Sequence, residues 1–325
     1  MPIKFVGRPI IKAETETREY YGKAPENRTI PELLDSGVVI VDKPSGPTSH
    51  QVSAWVRDML GIEKAGHSGT LDPNVTGVLP VALGDGTKLV DELHLGTKEY
   101  VCVMRLHSKV QESQVREVMK SFLGKVQQMV PVRAAVKRQQ RAREIYALEL
   151  LEMQGRDVLF RVECESGTYI RTLCVDIGKR LGCGANMQEL RRTRTAIFGE
   201  SELVRLQGLK DALFEYSENK NEAPLRTLVL SMERMVEHIP KIAIRDSAVD
   251  ALCHGANLAV PGAIQVDSAV KKGKLAAVFT LKGEIVAIGN ALMDAREIVE
   301  KDWGFCLDVS RVLMKKGTYP PMWKK

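Results

Sequence analysis

The strongest constraint on the fold of this chain is a change in the pattern of apolar residues near Ile239-Pro240. Before that point, alternating segments typical of strands are mixed with apolar residues at helical spacing. After it, short apolar runs are separated by glycine turns such as Lys282-Gly283, which favours a small β-barrel or sandwich. A length of 325 residues also exceeds what one hydrophobic core usually serves. The sequence therefore predicts an α+β protein, with a larger mixed-sheet domain followed by a small β-barrel.

Composition narrows the class of protein. A formal net charge of +6 and a pI near 8.9 mildly favour a polyanionic partner. The six cysteines are scattered without a Cys-x-x-Cys pair, and the six histidines form no His-Glu-x-x-His pattern, so we expect reduced core thiols and no metal site. The sequence contains neither an apolar stretch long enough to cross a bilayer nor the apolar core of a signal peptide. We therefore expect a soluble intracellular protein without a membrane partner.

A glycine-rich segment, Lys64 to Pro80, carries a single carboxylate, Asp72, and shows no apolar periodicity. Glycines let the backbone approach a ligand closely, and Pro73 restricts Asp72 to extended conformations. A carboxylate fixed in this way before an apolar strand, Val78 to Leu83, is suited to chemistry. The local pattern alone favours a different interpretation, in which Asp72 caps a helix that begins at Pro73.

Basic residues are concentrated in two segments. The segment from Pro131 to Arg143 contains no acidic residue, and its basic residues are Arg133, Lys137, Arg138, Arg141 and Arg143. Such a run is equally compatible with a solvated charged face and with contacts to phosphates. The second basic run, Leu190 to Arg194, lies where we expect a strand.

Local signals predict several further elements. A helix is expected between a cap at Thr48 and a stop at Gly61, and another helix is expected to be capped by Ser113. Two alternating segments predict a hairpin around Gly155-Arg156-Asp157. The polar stretch at 217–224 is expected to be a loop.

Four motifs, taken in order and spacing, give the chain a resemblance to a known family. They are Asp42-Lys43-Pro44, Gly66-His67-Ser68-Gly69-Thr70-Leu71-Asp72-Pro73, Lys98-Glu99-Tyr100 and Gly167-Thr168-Tyr169-Ile170-Arg171-Thr172. Together they resemble the TruB-type pseudouridine synthases over roughly Gly37 to Phe198, and the second motif is highly specific. The region from Ile239 onward resembles a PUA domain. The resemblance implies an N-terminal arm (1–32) that packs on the PUA domain, a catalytic domain (33–238) and a PUA domain (239–325).

The family converts uridine in RNA into its C-glycoside isomer, and the resemblance implies no cofactor and no metal. It implies that Asp72 is the catalytic carboxylate, which either attacks the ribose or removes a ribose proton. It also implies that Arg171 pairs with that carboxylate and that Tyr100 stacks on the uracil, with an ordinary strand aromatic as the alternative for Tyr100. The other pocket residues that it implies are Tyr169, Leu190 and Lys43. His67 is expected either to help extrude the target nucleotide or to be a buried structural histidine.

Within the family, the whole chain resembles the dyskerin-type catalytic subunits of H/ACA ribonucleoproteins. Between Met104 and Ser113, and again after Lys137, it lacks insertions that help the bacterial tRNA enzymes to grip their substrate. The resemblance therefore implies an enzyme that modifies rRNA under the direction of an H/ACA guide RNA. On this hypothesis, Arg133 to Arg143 form a mobile loop that closes over substrate RNA. The PUA domain holds the ACA end of the guide, with His254, Gly255 and Asn257 as its RNA-binding residues.

The resemblance also implies protein partners and leaves alternatives open. The partners are a small zinc-ribbon or hairpin protein beside the active site, a β-barrel protein and a kink-turn-binding protein on the guide. The alternatives are a stand-alone synthase for the tRNA T-loop and an RNP scaffold without catalysis, although a scaffold does not need Asp72, Tyr100 and Arg171 together. We expect the protein in the cytoplasm, or in the nucleolus if its source is eukaryotic.

Overall fold

The fold is given by a computed structural model that describes residues 3–129 and 139–322. The strands are β1 (Pro9–Ile11), β2 (Gly37–Lys43), β3 (Ala65–His67), β4 (Thr76–Leu83), β5 (Lys98–Leu106), β6 (Gly124–Met129), β7 (Gln140–Gln154), β8 (Asp157–Cys164), β9 (Ala185–Thr195), β10 (Leu230–Ser231), β11 (Lys241–Ile244), β12 (Leu258–Ala259), β13 (Ala263–Asp267), β14 (Leu275–Thr280), β15 (Ile285–Ala291) and β16 (Phe305–Val312). The helices are α1 (Ile30–Ser36), α2 (Ser49–Leu60), α3 (Val90–Leu95), α4 (Glu112–Lys120), α5 (Ile170–Arg180), α6 (Leu206–Asn219), α7 (Ala223–Leu228), α8 (Asp246–Cys253) and α9 (Ala295–Glu300). The predicted α+β class is confirmed.

One of two compact units comprises the described residues of 39–81 and 90–228. Its sheet has the strand order β2-β4-β9-β5-β8-β7-β6, with β3 beside β4. β4 and β9 are parallel, whereas β5 is antiparallel to both β8 and β9, so the sheet is mixed. Its core joins the buried faces of β5, β8 and α5, for example Cys102, Phe160 and Leu173. The sheet thus gives the unit a rigid frame on which loops can be positioned.

Local signals place several elements of this unit as predicted. Thr48 caps α2, since its hydroxyl accepts from the Gln51 backbone N at 3.1 Å while the Gln51 side chain accepts from the Thr48 backbone N at 2.8 Å. Gly61 ends the same helix in the left-handed region at φ +63°. The hairpin of β7 and β8 turns at Gly155, which has φ +64°. These predictions are confirmed.

Two other local predictions are wrong. The polar stretch at 217–224, expected as a loop, is mostly helical, because α6 continues to Asn219 and α7 begins at Ala223. Its polar residues lie on the outer faces of helices that bury Leu209 and Leu225, so high polarity here marks exposure and not the absence of structure. The helix expected to be capped by Ser113 has Gln111 at its N-cap, which places Ser113 in its first turn.

The second compact unit comprises the described residues of 1–38, 82–89 and 229–325. Its seven-stranded sheet has the order β1-β13-β11-β14-β15-β16-β12. The strands are short and bury Ile242, Val278 and Val286 in one apolar cluster with Val249 of α8. The short apolar runs seen in the sequence therefore form one sheet with a core of its own.

The N-terminal segment belongs to this second unit. β1 pairs antiparallel with β13, with Ile10 opposite Val266. Buried carboxylates accept hydrogen bonds from residues on either side of β1. These contacts join Asp267 with the backbone N of Val6 (2.6 Å) and of Gly7 (2.8 Å), Asp246 with the Thr17 hydroxyl (2.9 Å) and the backbone N of Arg18 (2.9 Å), Glu284 with the backbone N of Lys23 (2.8 Å), and Glu233 with the Arg28 guanidinium (2.7 and 2.8 Å). The segment is thus bound, through backbone N–H groups and the side chains of Thr17 and Arg28, to charges that the second unit buries.

Replacing Gly77 by Ala is expected to lower the free energy of unfolding by more than about 3 kcal/mol. Gly77 has φ +101°, and an added Cβ would lie 2.1 Å from the backbone oxygen of Arg192 on the paired strand. Gly61→Ala is the matched control, because Gly61 also has positive φ but nothing lies within 4 Å of its added Cβ. The control should cost only about 1–2 kcal/mol, the cost of the left-handed backbone alone. Denaturant unfolding of both variants measures the difference, and equal losses would contradict the steric argument.

Candidate active site

The loop that carries Asp72 (the Asp72 loop, residues 68–75) connects β3 with β4. No helix begins at Pro73 in this described part of the chain, so the interpretation of Asp72 as a helix cap is wrong. Instead, the backbone oxygen of Asp72 accepts from the backbone N of Val75 at 3.0 Å in a tight turn. The Asp72 side chain is 56% exposed. The turn therefore presents the carboxylate to solvent, where a substrate can reach it.

Arg171 forms an ion pair with Asp72 through Nη2 and Oδ2. It lies in the first turn of α5, two residues after Tyr169 at the N-cap of that helix. A charge-assisted hydrogen bond to a guanidinium favours the ionised carboxylate and fixes its direction. The structure thus joins two residues that are 99 positions apart in the sequence and that the motifs select independently.

Lys43 holds the Asp72 loop from its buried side. Its ammonium donates to the backbone oxygens of Pro44 (2.9 Å), Pro73 (2.8 Å) and Val75 (2.9 Å), and the side chain is 0% exposed. Burial lowers the pKa of Lys43, while the charge of Asp72 opposes that change. We expected Lys43 to touch the uracil, but all three of its N–H groups are occupied by backbone oxygens. Its place in the structure is that of a support for the turn around Asp72.

Tyr100 lies on β5 directly opposite Arg192 of β9, next to a register shift in that strand pair. Tyr100 is 9% exposed and Arg192 is 1% exposed. Burial raises the pKa of Tyr100, and the Arg192 guanidinium partly opposes this change. Sequence reasoning did not select Arg192. The available signal was the alternation of β9, which places Arg192 on the same face as Leu190, an expected pocket residue.

The remaining pocket residues are half-buried and lie on separate elements. Leu190 is on β9, and Tyr169 precedes α5. Gln128, another residue that the sequence did not reveal, is 2% exposed and binds the backbone of Tyr169 twice. Its Oε1 accepts from the backbone N at 2.9 Å and its Nε2 donates to the backbone oxygen at 3.2 Å. Gln128 therefore fixes the start of α5, from which both Tyr169 and Arg171 project.

His67 makes contacts that suit a support of the loop. Its Nδ1 lies 3.0 Å from the Ser53 hydroxyl and its Nε2 lies 3.2 Å from the Thr70 hydroxyl. Burial, assisted by the charges of His50 and Arg192, lowers the pKa of His67 to about 4. The imidazole is therefore neutral near pH 7 and connects α2 with the Asp72 loop. These contacts fit the structural alternative, and its part in extruding a nucleotide stays a prediction.

The basic segment lies partly outside the described residues. Arg133, Lys137 and Arg138 fall in 130–138, whereas Arg141 and Arg143 are on β7. Arg141 and Arg143 are in a strand paired with β6, and closure of the segment 133–143 over substrate RNA stays a prediction. Because side chains alternate along a strand, Arg141 and Arg143 lie on the same face of β7. The Arg143 guanidinium also lies 3.4 Å from the Glu165 carboxylate.

The expected RNA-binding residues of the second unit form an exposed group. His254, Gly255 and Asn257 follow α8 and are all exposed. His254 Nδ1 lies 2.9 Å from the Asp250 backbone oxygen, and Asn257 Oδ1 accepts from the Val309 backbone N at 3.0 Å. These bonds fix the backbone of the segment and leave its outer surface accessible.

Residues 3–129 and 139–322 contain no group of three or more His, Cys, Asp or Glu that could hold a metal ion. Within the same ranges, no helix has both the length and the apolar character needed to span a membrane.

Comparison with known families accounts for almost the whole chain. A model described as "TruB family pseudouridylate synthase (N terminal domain)" matches residues 57–113 and 107–170, and "tRNA pseudouridylate synthase B C-terminal domain" matches 171–237. A PUA domain model matches 240–313, and a DKCLD (NUC011) domain model matches 3–53. A protein of Methanopyrus kandleri named "Probable tRNA pseudouridine synthase B" is 52% identical over 97% of this chain and 93% of its own length. The chain belongs to the TruB family of pseudouridylate synthases.

Solved structures of TruB relatives extend this match to three dimensions. A chain in the structure of an H/ACA RNP bound to a substrate RNA containing 2′-deoxyuridine is 46% identical, with a TM-score of 0.93 and 99% of each chain covered. A chain in a crystal structure of a Cbf5-Nop10-Gar1 complex is 48% identical, with a TM-score of 0.93 and 98% of each chain covered. The predicted combination of a pseudouridine synthase domain with a PUA domain is confirmed, and the protein is an RNA pseudouridine synthase.

Replacing Lys43 by Met is expected to slow pseudouridine formation by about 10²-fold, since small misplacements of a reacting group have effects of this size. The change leaves three backbone oxygens around Pro73 without their donor, so the turn that presents Asp72 loosens. Lys241→Met is the matched control, because Lys241 is 2% exposed and also donates to backbone oxygens, those of Glu237 and Ile239, in the other unit. Single-turnover rates should fall only for Lys43→Met, and equal rates in the two variants would contradict the support role.

Proposed function

We propose that this protein isomerises specific uridines of rRNA as the catalytic subunit of an H/ACA ribonucleoprotein, directed by guide RNA. The observation that carries the proposal is the match, over nearly the full chain, to chains solved within H/ACA complexes. That match includes the N-terminal segment, which pairs with the sheet of the second unit through β1 and β13. A partner of strongly anionic character also agrees with the net charge of +6.

The chemistry proposed for the site begins at Asp72. The N1–C1′ bond of uridine breaks, the detached uracil rotates, and C5 bonds to C1′; the C5 proton is then lost and N1 gains a proton, so the product is an isomer. Asp72 acts either by attacking the ribose or by removing a ribose proton, as a carboxylate next to an oxocarbenium-like centre can do. Arg171 fixes the direction of the carboxylate in both routes. Tyr100, Tyr169 and Leu190 bind the uracil while it turns.

The second candidate function is that of a stand-alone tRNA enzyme. It is favoured by relatives whose printed name is "Probable tRNA pseudouridine synthase B". The structure offers little chain for gripping tRNA between β5 and α4, since only residues 107–111 separate these elements. So short a connection favours a substrate RNA that is held in place by other components of a complex. Guide dependence therefore has to be tested against independent action on tRNA.

The partners proposed follow the solved relatives, which are described as complexes with Nop10 and Gar1. For this chain we propose an H/ACA guide RNA, an rRNA substrate and, on the second hypothesis, tRNA. The protein partners proposed are a small zinc-ribbon or hairpin protein, a β-barrel protein and a kink-turn-binding protein. His254, Gly255 and Asn257 are proposed to contact the guide, because they form an exposed group in the region matched by the PUA model.

The deciding experiment measures pseudouridine in two RNAs, an rRNA fragment and a tRNA, with and without a cognate guide and partner proteins. The wild-type protein should modify the rRNA fragment only when the guide is present. Asp72→Asn should reduce the rate by at least about 10³-fold, as expected when the group that makes or breaks a bond is lost, while RNA binding persists. Asp157→Asn is the matched control, since Asp157 forms an exposed ion pair with Arg105 on another part of the sheet. Efficient modification of tRNA by the protein alone would contradict guide dependence, and an active Asp72→Asn variant would refute the role of Asp72.

Replacing Arg141 by Ala is expected to weaken substrate RNA binding and to reduce the salt slope of log K by about one, the value for one lost phosphate contact. Arg105→Ala is the control, because Arg105 is already neutralised by two hydrogen bonds to Asp157, at 2.7 and 2.6 Å. Binding constants measured over a series of salt concentrations give both slopes. If the slope of Arg141→Ala equals that of the wild type, Arg141 belongs to a solvated face and contacts no phosphate.

A further inference from the structure

Arg192 is a buried cation without an ionic partner. It is 1% exposed, and among the described residues it has the largest of the fully buried side chains. Its Nε donates to the backbone oxygen of Val78 at 2.7 Å, while Nη2 has no hydrogen-bond partner. Within 3–129 and 139–322, no carboxylate forms an ion pair with it. Burying an unpaired charge is costly, so its presence in the frame of the active site calls for a function.

The position of Arg192 connects it with two parts of the site. Its guanidinium lies under the Asp72 loop, where a Cβ added to Gly69 would be 2.9 Å from Nη1. Its backbone is directly opposite Tyr100, and directly opposed residues of antiparallel strands place their side chains on the same face. The charges of Arg192 and Asp72 both act on the buried Tyr100 hydroxyl. Arg192, Tyr100 and Asp72 therefore form one connected group.

A buried guanidinium on the same face of the sheet restricts what the Tyr100 hydroxyl can do. Because a guanidinium has only N–H donors, it can serve only a lone pair of the phenol oxygen, which leaves the phenol hydrogen free to donate elsewhere. Burial keeps Tyr100 protonated at neutral pH because it raises the pKa of this group. A neighbouring cation also polarises the hydroxyl and makes it a stronger donor. Tyr100 is thus prepared as a hydrogen-bond donor toward the pocket.

The reaction contains a group that requires such a donor. When the N1–C1′ bond breaks, uracil leaves with the bonding electron pair, and the negative charge spreads from N1 onto its carbonyl oxygens. A donor already in place for charge that develops in the transition state lowers the barrier. We propose that Arg192 is a positioning residue that turns the Tyr100 hydroxyl toward a carbonyl oxygen of the detached uracil. This inference deepens the proposed chemistry of Asp72 and applies equally to rRNA and tRNA substrates.

The first test is Tyr100→Phe, which keeps the ring and its packing but removes the hydroxyl. The single-turnover rate of pseudouridine formation should fall about tenfold or more, as expected for the loss of one donor to developing charge. Substrate binding should change little, because the stacking face is retained. A rate equal to that of the wild type would overturn the proposal, whether or not variants of Arg192 fold.

The second test is a double-mutant cycle with Arg192→Lys. Lysine keeps the charge, but a single ammonium cannot serve Val78 and the Tyr100 hydroxyl in the geometry of a guanidinium. If Arg192 acts through the hydroxyl, Arg192→Lys should lower the single-turnover rate about tenfold in the wild-type background. In the Tyr100→Phe background it should lower the rate less than about twofold, since the two changes remove one shared interaction. A merely structural role would persist in Tyr100→Phe, because the ring is still present. If the rate of the double variant falls by the product of the two single-variant factors, the proposal is overturned.

Arg191→Lys provides the control for coupling along the strand. Arg191 is the neighbour of Arg192 on β9, but its guanidinium pairs with Asp42 at 2.9 Å and with Glu200 at 2.7 Å. Its effect should be independent of Tyr100→Phe. The cycle is measured in the assembled complex and, if the wild type acts alone, on tRNA as well. Loss of guide dependence would then refute the proposed ribonucleoprotein function, while the coupling of Tyr100 with Arg192 would still be read from the active substrate.

Discussion

The rest of the site depends on the hydrogen bonds by which Lys43 fixes the Asp72 loop. Its ammonium joins the backbone oxygens of residues 44, 73 and 75, so it connects the end of β2 with the turn that follows Asp72. Arg171 contacts the carboxylate itself, and Arg192 lies under Gly69 of the same loop. The loop is thus contacted by cations from three different elements, one of which pairs with its only carboxylate. Such an arrangement limits the motion of Asp72.

Burying these cations has a cost that folding must offset. Desolvation of an ammonium or guanidinium costs several kcal/mol even after relaxation, and a hydrophobic residue of similar volume would often be as stable. Lys43 and Lys241 reduce the cost by donating to backbone oxygens, and burial still lowers the pKa of Lys241 to about 8. Arg192 is less well compensated, since one of its nitrogens has no partner. The larger unit therefore gives up stability at the positions that shape the field around Asp72, which is typical of functional sites.

Sequence reasoning found the residues whose motifs are contiguous and missed those whose role depends on burial. Asp72, Tyr100 and Arg171 stand in recognisable motifs, and the strand and cap signals at Thr48 and Gly155 are local. Gln128 and Arg192 have no such signal, because a glutamine or arginine in a polar run is usually exposed. Their burial follows from sheet registers that join β9 to β5 and from the packing of α5, and neither can be derived from local composition. Lys43 shows a related difficulty, since its motif marks the site while its side chain supports the loop from behind.

The second unit depends on long-range pairing to a degree that the sequence does not indicate. Asp267, Glu284, Glu233 and Asp246 are all at most 8% exposed, and each accepts hydrogen bonds from the N-terminal segment more than 200 residues away. A buried carboxylate with too few donors is unfavourable, and removal of this segment would take hydrogen-bond donors from all four of these charges. The N-terminal segment can complete its structure only together with the C-terminal sheet, so these contacts carry the entropic cost of closing a long loop. The same dependence explains why residues 3–38 belong to the compact unit of the C-terminal sheet although the chain between them forms most of the other unit.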